Sequence, residues 1–99
     1  MESIKADFGD GERTVYFGKH MLGEMDRVDK VKKVDQHGHI TNPTEVVVET
    51  LMARARTEQG APMFSASDRA RIMREFDADE VVRVVGAFRA FDIGEQAGN

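Results

Sequence analysis

Histidine and carboxylate side chains are the groups in this sequence that could bind a metal ion, because the chain contains no cysteine. Asp35, His37 and His39 lie in one short polar stretch, whereas the third histidine, His20, is distant in sequence. Imidazole and carboxylate suit zinc, but a closed shell takes four ligands and needs another residue from elsewhere. A histidine pair in a polar stretch with glycine is more typical of a solvated loop. We therefore predict no metal site at His37 and His39, and no cofactor.

Acid–base and nucleophilic catalysis have no predicted site in this chain. Carboxylates such as Asp68, Asp77 and Glu80 lie at predicted helix starts, where they interact favourably with the helix dipole. No serine or histidine lies in a recognisable catalytic motif, and the glycines near residue 10 are not followed by the Lys-Ser/Thr of a phosphate-binding loop. We expect the protein not to be an enzyme.

Nucleic-acid binding is an alternative raised by two basic clusters. The clusters are Lys30, Lys32 and Lys33, and Arg69, Arg71 and Arg74. The formal net charge of −4 gives no general attraction for phosphate. The third and fourth predicted helices could form a helix-turn-helix, but Glu75 and Asp77 at their junction repel phosphate. We favour solvated helix faces for both clusters and keep a small nucleic-acid-binding regulator as an alternative.

The N-terminal segment predicts a β-hairpin over residues 3–17. Ile4 to Phe8 alternates between apolar and polar residues, and Glu12 to Phe17 repeats the alternation. Between them, Gly9 to Gly11 suits the positive φ angles of a tight turn. A two-stranded ribbon is marginal alone in water, so it must pack on the helices or on another copy.

The rest of the chain predicts helices over about 19–34, 43–59, 66–76 and 78–92, with a flexible tail over 94–99. Asn42 before Pro43 is a typical helix start, and Gly60 is a typical end. Met73 is predicted to face the core from the third helix. The predicted fold class is α+β and mostly α-helical, with a single domain over 1–93 in which the hairpin precedes about four helices. No apolar stretch is long enough for a membrane span, so no membrane association is predicted.

The first predicted helix is the candidate for a protein-binding surface. Its apolar residues recur mainly every third position, which gives a skewed stripe with an exposed apolar edge. The stripe consists of Met21, Leu22, Met25, Val28 and Val31. Flexible thioethers fill irregular core gaps, but they also suit surfaces that accept varied apolar partners. We predict that these five residues bind a partner helix.

The order of elements over Glu45 to Asp92 resembles the body of the tail assembly chaperones of long-tailed (siphovirus-type) bacteriophages. The resemblance rests on the link Gly60-Ala61-Pro62-Met63-Phe64-Ser65, the acidic helix start at Asp68, and the last helix beginning Asp79-Glu80-Val81-Val82-Arg83-Val84-Val85. An N-terminal hairpin with an Asp-Gly turn, followed by a helix, also fits this family.

The resemblance implies a function without catalysis. Such chaperones bind the tape measure protein, keep it soluble and recruit tail tube subunits during tail morphogenesis. They act in the host cell cytoplasm of a phage or prophage and are absent from the mature virion. Self-association of this chain is a further expectation. An alternative of another class is a structural head–tail connector or tail-terminator subunit, in which the hairpin pairs between copies.

Overall fold

The computed structural model of this chain describes residues 1–97 and confirms the predicted α+β, mostly helical architecture. Two antiparallel strands, β1 (Glu2–Asp7) and β2 (Glu12–Phe17), precede the helices. The described residues form α1 (Leu22–Val31), α2 (Pro43–Arg54), α3 (Arg69–Glu75) and α4 (Ala78–Ala97), and a short 3-10 turn (Ala66–Asp68) leads into α3.

The hairpin forms where the alternating pattern predicts it. Ile4 lies opposite Val15 in the antiparallel register. Gly9 and Gly11 have φ angles of 112° and 109° in the turn, which side chains other than glycine rarely adopt. The Asp7 carboxylate accepts hydrogen bonds from both of their N–H groups, at 2.8 and 3.3 Å. The turn is therefore stabilised by a local side chain as well as by its glycines.

The hydrophobic core lies between one face of the hairpin and the helices α2 and α4. Its largest members include Phe8, Phe17, Leu51, Met52 and Phe88, each with at most 4% of its surface exposed. The Phe17 and Phe88 rings pack with their centroids 4.8 Å apart, which joins β2 to α4. The prediction that the hairpin packs on the helices is confirmed by these contacts.

Helix α2 is shorter than the predicted span of 43–59, because the chain after it pairs with the hairpin. Arg56 and Tyr16 exchange two backbone hydrogen bonds, at 2.7 and 3.0 Å. Extended backbone at Arg56 is incompatible with a continuing helix, so α2 ends at Arg54. Gly60 does not end the helix directly; it lies in the following turn with a φ of 86°.

Helix α1 is also shorter than its predicted span of 19–34. Lys33 and Thr41 are joined by a backbone hydrogen bond of 2.8 Å, so the chain turns back after the helix. Asn42 occupies the N-cap position of α2 but makes no capping hydrogen bond. Its side chain instead accepts from the Lys33 N–H and donates to the Val31 carbonyl, and these bonds fix the end of α1.

Helix α4 is longer than its predicted span of 78–92 and runs to Ala97. The helical backbone therefore includes residues 94–97 of the segment predicted as a tail. Glu95, Gln96 and Ala97 are good helix formers, and they outweigh the unfavourable Gly94. Residues 98–99 of the predicted tail lie outside the described residues.

The outer edge of β1 is held to α4 by two charged side chains. The Glu80 carboxylate accepts a hydrogen bond from the Asp7 N–H at 2.9 Å, and the Arg83 guanidinium donates to the Lys5 carbonyl at 2.6 Å. The same guanidinium donates to Glu80 at 2.7 Å. These hydrogen bonds lower the pKa of Glu80 from 4.5 to about 2; the bond from Arg83 has the larger effect and the bond from the Asp7 N–H the smaller one.

Glu80 is expected to make the stability of the fold sensitive to acid. Because its pKa in the folded state lies below the ordinary value, it stabilises the fold above pH 4.5 and loses this contribution as the pH falls towards 2. Glu80→Gln removes the titrating group and should reduce the loss of thermal stability over this range. Asp79→Asn, a neighbouring exposed change of equal charge, should keep the wild-type acid sensitivity. If the Glu80→Gln variant and the wild type lost the same stability in acid, Glu80 would not be the source of the acid sensitivity.

Candidate functional site

Charged side chains attach helix α1 to α2 and to the segment that follows α2, and none of the residues of α1 is fully buried. The Glu24 carboxylate accepts a hydrogen bond from Arg56 at 3.1 Å, and Arg27 donates to Glu49 of α2. Glu24 also accepts from the Met21 N–H at 2.9 Å, which stabilises the start of α1. The attachment of α1 therefore does not use most of its apolar surface.

The five predicted protein-binding residues divide into two groups. Met21, Leu22 and Met25 are 58%, 81% and 44% exposed, and together they are named the α1 apolar surface. Val28 and Val31 are half-buried. They follow Glu24 and Arg27 by four positions each and so share the helix face that contacts α2.

Glu49 is a buried carboxylate between two arginines. It is 2% exposed and accepts hydrogen bonds from Arg27 of α1 and Arg69 of α3. Burial is the largest single influence on its pKa and acts to raise it, but the hydrogen bonds and charges of the two arginines together outweigh burial and keep the pKa below its ordinary value. Glu49 thus joins three helices while it remains ionised.

Arg54 is a buried guanidinium that joins α2 to α4 and to the chain before α1. It is 3% exposed and donates to both carboxylate oxygens of Asp92, at 2.7 and 2.8 Å. It also donates to the Gly18 carbonyl at 3.0 Å and lies 5.2 Å from the centre of the Phe88 ring. His20 approaches the same carboxylate, with Nδ1 3.7 Å from Asp92. Arg54 thereby positions the segment that leads into the α1 apolar surface.

Sequence reasoning missed Glu49 and Arg54, although a signal for them existed. Both are charged residues within the most apolar stretch of α2, whose other residues are valine, leucine, methionine, alanine and one threonine. A charged residue in such a position is buried only when it is paired. Their partners are 20 to 38 residues away in sequence, which local patterns do not reveal.

A second apolar feature is a groove between α2, α3 and the first turns of α4, and it is named the α2–α4 groove. It has a volume of about 300 Å³, and all of its ten lining residues are apolar except Thr44. Met73 and Val82 line it and are 48% and 58% exposed. The prediction that Met73 faces the core is wrong, because the short helix α3 buries only Ile72.

The histidine stretch forms a tight loop around Asp35. One oxygen of the Asp35 carboxylate accepts the N–H groups of His37 and His39, both at 2.9 Å. This carboxylate stabilises the turn, and the His39 ring lies exposed with Nδ1 3.7 Å from it. Within residues 1–97, no three histidine or carboxylate side chains are grouped closely enough to hold a metal ion.

Most members of the two basic clusters are paired with carboxylates of the same chain. Lys30 and Lys32 lie 3.0 and 3.2 Å from Asp26 and Asp29. In the second cluster, Arg69 binds Glu49, and Arg71 binds Asp68 at 3.3 Å. These contacts reduce the positive charge that each cluster presents to a phosphate. None of the helices within residues 1–97 has the length and apolar character required to cross a bilayer.

Comparison with known proteins gives no relative for this chain: no protein-family model, no curated protein and no solved structure matches it. The resemblance to tail assembly chaperones therefore stays a prediction. The features of this chain that could bind a partner are its exposed apolar residues, held in place by the ion pairs described above.

Proposed function

We propose that this chain is a tail assembly chaperone of a long-tailed bacteriophage or prophage, which binds the tape measure protein and keeps it soluble during tail morphogenesis. In this proposal it acts without catalysis in the host cell cytoplasm, helps recruit tail tube subunits, and is absent from the mature virion. The observation that carries the proposal is the α1 apolar surface, in which three large apolar side chains lie exposed at the start of one short helix.

The apolar side chains at the start of α1 are not part of the hydrophobic core, so a partner can bind them without unfolding the protein. Because α1 is attached through Glu24 and Arg27, Met21, Leu22 and Met25 remain available to a partner. Burying one such side chain in a complex contributes about 1.5–3 kcal/mol before the entropic cost of association. Unbranched methionine side chains adapt to varied apolar partners, which suits a long client with many different helical segments.

The experiment that tests the proposal is a pull-down with the tagged chain from cells that produce the complete phage or prophage. Mass spectrometry of the retained proteins should show a very long, helix-rich protein, with or without tail tube subunits. Retention of capsid and connector proteins alone would favour the structural subunit, and retention of nucleic acid would favour the regulator. Detection of the chain in purified virions would also contradict the chaperone proposal.

A further inference from the structure

Helix α1 lies antiparallel on one face of α2. At the end of α1, the Val31 carbonyl accepts a hydrogen bond from Asn42, directly before α2. At its start, Met21 lines a surface crevice together with Ala53, near the end of α2. Glu49, which binds Arg27 in the middle of α1, lies between these two contacts. The same face of α2 is therefore covered over almost its whole length by α1.

Two apolar residues of α2 are buried beneath α1. Val46 and Ala53 are each 6% exposed, yet they lie outside the hydrophobic core between the hairpin, α2 and α4. They come three residues before and four residues after Glu49, so they share its face of the helix. On the α1 side of this contact lie Val28 and Val31, which are half-buried. The apolar contact that holds α1 in place is therefore a narrow strip.

The charged groups that attach α1 would not be left buried and unpaired if α1 left α2. Glu49 would keep its hydrogen bond from Arg69 of α3. Arg56, the partner of Glu24, has a side chain that is already 29% exposed and would become hydrated. On α1 itself, Glu24 and Arg27 would return to water. A buried charge that loses its only partner is strongly destabilising, and the release of α1 avoids this cost.

Helix α1 is too short to stay helical once it has left α2. It has 10 residues, and isolated helices of fewer than about 12 residues are marginal in water. Gly23 in its first turn lowers its helix propensity further. The chain on either side stays anchored, because the buried Arg54 binds the Gly18 carbonyl and Asn42 begins α2. Detachment and unfolding of α1 are therefore a single event with fixed limits.

We propose that residues 19–41 form a detachable strap. In the docked state α1 is helical on α2, and in the released state it is unfolded while the hairpin, α2, α3 and α4 stay folded. Release uncovers Val46 and Ala53 and dismantles the α1 apolar surface. It requires no client, so it holds or fails independently of the proposed function. If the α1 apolar surface binds the client as proposed, release of the strap also releases the client.

The released state is detected by amide hydrogen exchange of the intact protein, followed for each residue by NMR. The N–H groups of residues 25–31 should share one protection factor, because a single event exposes them all. This factor should lie at least about a hundredfold below that of the buried face of α4, which exchanges only when the core opens. Fraying of α1 would instead give protection that rises from its ends to its middle. Such a gradient, or protection in α1 equal to that in α4, would overturn the proposal.

Two variants of α1 test whether its ion pairs hold the docked state. Arg27→Met removes a charged hydrogen bond that exists only when α1 is docked, and it should lower the protection factor of α1 at least about tenfold. Lys30→Met is the matched control, because its partner Asp26 also lies on α1, and it should change the factor less than about threefold. Glu24→Gln, which weakens the attachment to Arg56, replaces Arg27→Met if that variant disturbs the NMR signals of the core. Equal exchange of the Arg27→Met and Lys30→Met variants would overturn the proposal.

Discussion

Replacing Arg27 and Arg69 together by methionine is expected to lower the free energy of unfolding by about 3–5 kcal/mol, because a buried carboxylate then loses both of its counter-ions. The Glu49 side chain is 3% exposed, so water cannot take the place of the arginines. Either single replacement should cost less than half of the double replacement, since the remaining arginine still binds Glu49. Urea denaturation of the wild type, the two single variants and the double variant measures these differences.

The stability of the Arg27/Arg69 double variant should change with pH in the direction opposite to that of the wild type. A simple loss of packing would not produce this difference. In the wild type the pKa of Glu49 is below its ordinary value of 4.5, so Glu49 stabilises the fold above that value and the contribution is lost as the pH falls. In the double variant burial acts alone and raises the pKa of Glu49, so acid should relieve the destabilisation.

A third replacement, Glu49→Met, provides the control for the double variant. It removes the buried charge itself and should recover most of the lost stability, since a buried ion group can often be replaced by packed apolar residues at little cost. A double variant that loses stability in acid as the wild type does, or that gains nothing from Glu49→Met, would contradict the described role of Glu49.

Replacing Arg54 by methionine is expected to lower the free energy of unfolding by about 3 kcal/mol. The change keeps a long apolar stem against Phe88 but removes every hydrogen bond to Asp92 and to the Gly18 carbonyl. The expected loss is at the low end for a buried pair, because the Asp92 side chain is 23% exposed and can be partly hydrated again.

The matched control for Arg54 is Arg89→Met, which removes an exposed arginine from α4. Surface changes of this kind usually alter stability by less than about 0.5 kcal/mol. Denaturation of both variants under the same conditions compares the buried and the exposed guanidinium directly. If Arg54→Met were no less stable than Arg89→Met, Arg54 would not join α2, α4 and the chain before α1 as described.

The elements that depend on local sequence were predictable. Alternation and an Asp-Gly turn predicted the hairpin, and the buried residues Val81, Val84, Val85 and Phe88 of α4 have the i, i+3, i+4, i+7 spacing that is typical of an amphipathic helix. In both cases the periodicity of a single segment decides which side chains are buried, and no information from elsewhere in the chain is required.

The elements that depend on distant partners were not predictable. Helix α2 ends where Arg56 pairs with Tyr16, forty residues earlier in sequence, and α1 ends where Asn42 binds Lys33. The buried positions of Glu49 and Arg54 depend in the same way on arginines and a carboxylate in other helices. Burial of a charge is decided by its partners, and sequence periodicity does not identify them.

The candidate site was predictable in part. The skewed apolar stripe of the first helix predicted an exposed edge, and Met21, Leu22 and Met25 lie exposed. That Val28 and Val31 are half-buried follows from the ion pairs of Glu24 with Arg56 and of Arg27 with Glu49, which turn this face of α1 towards α2. The α2–α4 groove was missed, because it is formed by residues of three separate helices.

The most direct test of the central claim compares two methionine variants in the pull-down. Met25 and Met73 are 44% and 48% exposed, so Met25→Asp and Met73→Asp make the same chemical change at equal exposure, one in the α1 apolar surface and one in the groove. Met25→Asp is expected to retain at least about tenfold less tape measure protein, and Met73→Asp at least as much as the wild type. If Met25→Asp keeps its helix content and retains as much of the client as the wild type, the α1 apolar surface does not bind it.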